Sequence, residues 1–252
     1  MTTQHLTILT GASRGLGSAM AAQLLKPDAH LLCISRSSQP TLTELAQAKG
    51  ATLEQWRMDL ADATSVAQAL RDWLTAFGPQ HFASATLINN AGVISALVPL
   101  RQSESSDLAH ALRVGLEAPM LLCSAFLGAT ASWLGQRKVL NISSGLGRRP
   151  MASSAAYCAA KAGMDLMTRC IALEEAALPN GAQVCSLAPG VVDTDMQVQL
   201  RGADPAQFPD LGAFDALYRQ GQLTDAHQGA RRVLDYLARP DFGSEAIADV
   251  RS

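Results

Sequence analysis

Along the chain, short apolar runs alternate with longer stretches that read as helices, and the alternation persists almost from end to end. The runs at residues 5–9, 29–35, 52–58, 85–89, 138–142, 183–187 and 246–250 predict seven strands. Between them, residues 18–26, 43–49, 64–77, 106–133, 154–178 and 223–238 predict helices, with breakers at Pro27, Gly50 and Gly78-Pro79. Strand and helix in strict alternation argue for a parallel sheet covered by helices on both faces, a doubly wound α/β domain. One segment departs from the rhythm. Residues 197–222, rich in Ala, Pro, Asp and Gly, predict a less regular insertion, and with its flanks at about 195–222 it is expected to act as a lid that moves on binding and excludes water.

Length and composition add limits rather than detail. A chain of 252 residues with 48% hydrophobic and 17% charged residues suits one domain over 1–252 with a large core. The formal net charge of −2 offers no basic excess for nucleic acid, and no run of like charges suggests a tail. A small-molecule partner is expected. The N-terminus has no basic segment leading into an apolar stretch, and no run approaches the ~20 apolar residues of a membrane span. A soluble, cytoplasmic protein without a membrane partner is the expectation. Five cysteines, Cys33, Cys123, Cys158, Cys170 and Cys185, are scattered, without paired spacing or clustered histidines. They read as reduced core thiols, and no metal site is expected.

Two stretches carry chemistry. The first apolar run leads into Thr10-Gly11-Ala12-Ser13-Arg14-Gly15-Leu16-Gly17, a glycine-rich turn opening a helix. Such a strand, turn and helix suit a dinucleotide pyrophosphate, because the glycines allow close backbone approach and the helix N-terminus presents unpaired N–H groups. The spacing is T-G-x-x-x-G-x-G rather than G-x-G-x-x-G. The second stretch is Tyr157-Cys158-Ala159-Ala160-Lys161, which sets a phenol and an ammonium one turn apart on one helix face. Tyrosine ordinarily titrates near pH ~10. An adjacent cation is expected to pull it toward the working pH, where a general acid is most effective. Ser144 upstream is placed to hold a carbonyl oxygen as that oxygen gains negative charge. Alone, Tyr-x-x-x-Lys also describes an aromatic ring packed along a lysine stem.

Six motifs fall in order: Thr10 to Gly17, Asp59-Leu60, Asn89-Asn90-Ala91-Gly92, Asn141-Ile142-Ser143-Ser144, Tyr157 with Lys161, and Pro189-Gly190 with Thr194. In this order they resemble the short-chain dehydrogenase/reductase family over nearly the whole chain. The resemblance implies a Rossmann-like fold and a nicotinamide cofactor held by Gly11, Ser13, Arg14, Gly15, Leu16 and Gly17. It gives Asp59 and Leu60 an adenine contact, although Asp59 equally suits a cap on the helix beginning near Asp62. It implies that Asn90 touches the cofactor beside Ala91, that Gly92 leaves room, and that Pro189, Gly190, Val192 and Thr194 meet the nicotinamide end. Tyr157 and Lys161 count there both as catalytic and as cofactor-contacting residues. The thirteen-residue step from Ser144 to Tyr157 fits the family spacing, which leaves Ser143 as a structural neighbour. Arg36, at the end of the second strand, stands where arginine accommodates the 2′-phosphate of NADP and an acidic residue would favour NAD. With Arg14 near the same phosphate, NADP(H) is the expected cofactor.

Two features concern turnover and substrate. Most family members carry an asparagine in the fourth helix that holds a water in a proton relay, and here Gly115, in Gly115-Leu116-Glu117-Ala118-Pro119, takes its place. A backbone carbonyl and water are expected to serve instead, or turnover is impaired. The Asp193-Thr194-Asp195-Met196 turn with its insertion, and Ala172-Leu173-Glu174-Glu175, look like the sepiapterin reductase group and the related bacterial benzil reductases, which reduce vicinal dicarbonyls. That likeness gives Asp249 a substrate-anchoring role beside Ser144 and Tyr157, against the reading of a solvent-exposed strand-end aspartate. The loop with Arg148, Arg149 and Pro150 should border the pocket. A 3-oxoacyl or hydroxysteroid reductase of the same fold, and an NADPH-binding sensor without turnover, stay open. The family resemblance also implies a homodimer or homotetramer built through residues 106–133 and 154–178, with Met164, Met167, Ile171 and Leu173 packing on the sheet or on a partner.

Overall fold

The structure is a computed structural model and describes residues 4–251; the expected domain over 1–252 is seen without residues 1–3 and 252. Seven parallel strands form one sheet: β1 (Gln4–Thr10), β2 (Ala29–Ser35), β3 (Thr52–Arg57), β4 (Phe82–Asn89), β5 (Gln136–Ile142), β6 (Gln183–Ala188) and β7 (Ile247–Asp249), in the order β3-β2-β1-β4-β5-β6-β7. Helices α1 (Gly15–Leu24), α2 (Pro40–Lys49) and α9 (Ala226–Leu237) cover one face, and α3 (Ala63–Thr75), α5 (Ala118–Ala129) and α6 (Ala155–Ala176) the other. Each central strand is apolar at consecutive positions because both of its faces are buried. Leu31 and Cys33 join the core under α1, α2 and α9, whereas Leu32 and Ile34 join the core under α3, α5 and α6.

The order reverses between β1 and β4, and ligands of open α/β sheets bind at the strand ends beside such a reversal. The strand ends are laced together there. Thr10 Oγ1 accepts from the backbone N–H groups of Asn90 and Ala91, each at 3.0 Å. Asn90 Nδ2 donates back to the carbonyls of Thr10 at 3.0 Å and Gly11 at 3.3 Å.

Several elements differ from expectation. The helix expected over 106–133 is α4 (Ser105–Leu112), a π-helical turn (Arg113–Glu117) and α5 (Ala118–Ala129). Proline supplies the reason. Pro119 has no N–H for the Gly115 carbonyl four residues earlier, and a widened turn absorbs the missing bond. The run Ser105–Ala129 is also long and apolar enough to cross a membrane by composition, with a mean hydropathy of 1.4, contrary to the expectation that no run comes close. Half of that window is buried within the fold, with Leu122, Cys123 and Phe126 in the core against α3. That is the pattern of a core helix.

The insertion is ordered rather than irregular. It forms α7 (Asp195–Arg201) and α8 (Leu211–Arg219) around a third apolar cluster of Ile94, Leu97, Met151, Tyr157, Leu200 and Phe208. Its two ends are joined: Asp193 N–H donates to the Thr224 carbonyl at 2.8 Å, and Thr224 N–H to the Val191 carbonyl at 2.9 Å. One side-chain expectation fails as well: Cys170 is exposed rather than a core thiol. Leu173, 76% exposed, does not pack on the sheet, which leaves the other half of its expectation, a partner subunit.

Candidate active site

A cavity of about 650 Å³ runs along the carboxyl ends of the strands, from the glycine turn to α7 and α8. Of the residues expected to hold cofactor or substrate, all line this cavity except Asp249. Distant segments of the sequence therefore meet in one place.

At the glycine-turn end, local stereochemistry explains the glycines. Gly11 has φ of +70°, and a Cβ there would come within 2.9 Å of the Ala91 Cα. A Cβ on Gly17 would overlap the Gly11 carbonyl oxygen. Helix α1 begins at Gly15 with no side-chain cap and no acidic residue in its first turn. Its first N–H groups therefore face the cavity as donors for an anion, a donor set that fits a dinucleotide pyrophosphate. Asn90 lines the cavity, but its amide is engaged by the backbone of the turn, so it holds the cradle as well as facing it. Asp59 Oδ1 accepts from Ala61 N–H at 2.9 Å, while the cap of α3 is Asp62, accepting from Ser65 N–H at 3.3 Å.

The two arginines at this end differ. Arg14 Nη1 lies 3.0 Å from Asp195 Oδ2 at the start of α7, so its charge is already partnered rather than free for a phosphate. Arg36 has no carboxylate partner among the described residues.

At the other end, β5 delivers Ser144 and α6 delivers Tyr157 and Lys161. Ser144 is hydrogen-bonded to the Tyr157 side chain, which is buried. The Lys161 ammonium donates to the Ile142 carbonyl at 2.7 Å and lies 5.8 Å from the centre of the Tyr157 ring. Gly92 leaves space beside it, since a Cβ there would sit 3.8 Å from Nζ. The expected lowering of the tyrosine is not what the protein's own groups produce. Burial pushes Tyr157 above its ordinary value, and the Ser144 hydrogen bond offsets this only in part. The lysine moves instead. Burial pulls Lys161 down to about 8, with the Asp165 carboxylate opposing.

Ser143 has the structural part expected of it. Its hydroxyl and that of Ser186 each donate to Asp165 Oδ1 at 2.6 Å, and Arg148 Nε donates to Asp165 Oδ2 at 3.2 Å. Arg148 also donates to the Ala248 carbonyl at 2.9 Å, tying the loop after β5 to β7. It is thus tied into the framework although exposed, whereas Arg149 lines the cavity.

Asp249 is displaced from the part assigned to it. Both of its carboxylate oxygens accept from Arg251, at 2.8 and 2.7 Å, and that pairing holds the acid below its usual range. Arg251, which the sequence reading passed over, is the residue that faces the cavity. His110, Ile94, Gln197 and Phe214 were missed in the same way. For Phe214 a signal existed: Leu211, Phe214 and Leu217 recur at helical spacing inside the segment taken as irregular.

A parallel sheet with a glycine turn at its switch point, and a half-buried serine beside a buried tyrosine and lysine further along the same cavity, define a dinucleotide-dependent oxidoreductase. The short chain dehydrogenase family model matches residues 5–204. The chain belongs to this family. A benzil reductase ((S)-benzoin forming) of Bacillus cereus is 34% identical over 93% of this chain and 94% of its own length. A sepiapterin reductase of Meriones unguiculatus is 32% identical over 96% and 94%. Among solved structures, a putative NAD(P)-dependent gluconate 5-dehydrogenase from Beutenbergia cavernae, with bound NADP at low occupancy, superposes with a TM-score of 0.81 at 26% identity, covering 98% of this chain and 95% of that one.

Proposed function

We propose that the protein is an NADPH-dependent carbonyl reductase acting on ketones, and on vicinal dicarbonyls in particular. The observation that carries this reading is the Ser144, Tyr157 and Lys161 constellation at the end of the cavity that begins at the glycine turn. When bound, a reduced nicotinamide supplies the hydride to the carbonyl carbon. Ser144 holds the carbonyl oxygen as charge builds on it, and Tyr157 gives that oxygen its proton. The raised pKa of Tyr157 keeps the phenol protonated through neutral pH, as a donor requires. Lys161, held by the Ile142 carbonyl, faces the same space and offsets the phenolate left behind.

The likeness to benzil and sepiapterin reductases supports the dicarbonyl substrate class. Apolar side chains at the insertion end, Ile94, Leu146, Met196 and Phe214, suit an aryl or alkyl substituent. Arg36, without a carboxylate partner, supports NADPH over NADH through charge-assisted bonds to the 2′-phosphate. The two helices of the insertion, hinged at the Val192 and Thr224 bridge, form the lid in this reading. Leu166 and Leu173, 62% and 76% exposed on α6, suit a subunit face in a homodimer or homotetramer.

The test is a panel of benzil, a β-ketoacyl thioester and a 3-oxosteroid, each with NADPH and with NADH. Fastest turnover of benzil with NADPH is expected. Preference for the thioester or steroid, or equal use of the two cofactors, overturns the corresponding half of the reading.

A further inference from the structure

Four arginines line the cavity: Arg14, Arg36, Arg149 and Arg251. Two of them already have a carboxylate within salt-bridge distance, Arg14 with Asp195 at 3.0 Å and Arg251 with Asp249 at 2.7 Å. Arg36 and Arg149 have none among the described residues. They also stand in different parts of the cavity. Arg36 ends β2 near the glycine turn, whereas Arg149 belongs to the loop that carries Ser144.

The loop leaves little freedom in where Arg149 sits. After Ser144 the chain coils tightly, with Gly147 N–H donating to the Ser144 carbonyl at 3.0 Å and Arg149 N–H to the Gly145 carbonyl at 3.2 Å. Two residues on, Met151 is buried in the apolar cluster beneath the insertion. The backbone of Arg149 is therefore fixed between the Ser144 turn and the insertion. Its neighbour Arg148 is turned the other way and committed to Asp165 and β7. A cation so placed, in a cavity whose insertion end also carries the apolar side chains of Ile94, Leu146, Met196 and Phe214, has no carboxylate supplied by the described residues.

We propose that Arg149 recognises a carboxylate on the substrate, remote from the reacting carbonyl, so that the preferred substrates are acidic aryl or alkyl ketones or dicarbonyls. This deepens the carbonyl-reductase reading and rests on it. The reacting carbonyl goes to Ser144 and Tyr157, the apolar body to the side chains around Phe214, and the carboxylate to the guanidinium. Because Arg149 is exposed, the gain is modest, roughly three- to tenfold in kcat/KM, as for charge pairs that water partly screens.

The test compares 4-carboxybenzil with its methyl ester, which has the same reacting dicarbonyl without the charge. Wild-type enzyme should favour the acid by roughly three- to tenfold in kcat/KM. In Arg149→Gln the ratio of acid to ester should fall to about one, and Arg149→Lys should restore part of it, each as a KM effect with kcat little changed. A binding measurement runs beside turnover: quenching of bound NADPH fluorescence by acid and by ester, in wild type and Arg149→Gln. A wild-type ratio near one, or a preference for the acid that survives in Arg149→Gln, overturns the proposal. So does a loss of NADPH affinity in Arg149→Gln with the acid preference intact, since the arginine would then serve the cofactor. If neither compound is reduced but the acid still binds better through Arg149, the reductase reading falls while the anion site stands. If neither is reduced or bound, both fall.

Discussion

At the glycine-turn end of the cavity the wall is largely main chain: the Thr10 and Asn90 side chains bond the backbone of Thr10, Asn90 and Ala91, and the glycines are there because a Cβ would collide with backbone. At the insertion end the walls are side chains from three separate segments, Ile94, Leu146, and Leu200 with Phe214, backed by Met151 and Phe208 in the cluster around Tyr157. The first kind of wall tolerates one ligand geometry and little change. The second can be refitted by substituting side chains without disturbing the sheet, which is how one fold accepts many substrates while keeping one cofactor. Reaction chemistry sits at the seam between them, on Ser144, Tyr157 and Lys161.

The largest effect should come from the seam itself. Tyr157→Phe removes the proton donor and should lower turnover ~10²- to 10⁴-fold, the usual worth of a positioned proton transfer. Cofactor affinity, measured by fluorescence titration, should change little, because the backbone cradle is untouched. Near-wild-type reduction by this variant would sink the assignment.

A change beneath the insertion should separate the two ends most cleanly. Phe208 is fully buried and stacks on Phe214 with ring centres 5.7 Å apart. Phe208→Ala should destabilise the protein by ~3–5 kcal/mol if its cluster unfolds with the rest. It should also raise the KM for ketone far more than the Kd for cofactor. Equal damage to both would mean that the ends are not independent.

These two ends were not equally legible in the sequence. The glycine turn, Asn90-Ala91-Gly92 and the Tyr157 to Lys161 spacing are short and local, so the residue types report the geometry directly, and Gly11, Asn90, Ala91, Gly92, Tyr157 and Lys161 all line the cavity. The strand at 29–35 was legible because a sheet buried on both faces leaves an uninterrupted apolar run. Two alternatives at the insertion end were not resolvable from local pattern. Whether Asp249 or Arg251 faces the cavity depends on a pairing two residues apart at a strand end, and whether Arg148 or Arg149 does depends on Asp165, seventeen residues further along α6. The π-helical turn had a visible cause in Pro119, yet a long apolar pattern hides a one-residue slip of the hydrogen-bond ladder.

A smaller effect is expected from pH. Lys161 has its folded-state pKa lowered from 10.5 to about 8, chiefly by burial. Its positive charge should therefore be lost as pH rises past about 8, and kcat/KM for reduction should fall about tenfold per unit above that point. Stability should move the other way. The unfolded chain binds the lysine proton more tightly than the folded one, so this group's contribution favours folding increasingly as pH climbs from about 8 toward 10.5. Rate profiles and urea midpoints taken across the same pH range would show the opposed trends. A rate that stays level to pH 9.5 would remove Lys161 from the acid's surroundings.

The smallest effect belongs to Gly115, where the family asparagine is missing. A Cβ at this position would stand 3.0 Å from the Ala160 Cβ, next to Lys161 on α6, so the glycine lets the π-helical turn approach the helix of the active site closely. An asparagine would add a carboxamide but would also press α6 outward by a few tenths of an ångström. Meanwhile Pro119 leaves the Gly115 carbonyl without its usual helical donor, and that carbonyl is a backbone acceptor of the kind the relay requires. The two facts point the same way: a backbone acceptor is offered at Gly115, and a Cβ there would press on Ala160. Gly115→Asn should therefore change turnover by less than about threefold. Its effect on stability should also be small, since the ~0.5 kcal/mol gained in helix propensity over glycine is offset by the contact with Ala160. Thermal melts and steady-state rates on the same preparation would decide it, and a rise in turnover of tenfold or more would mean that the natural chain runs with a broken relay.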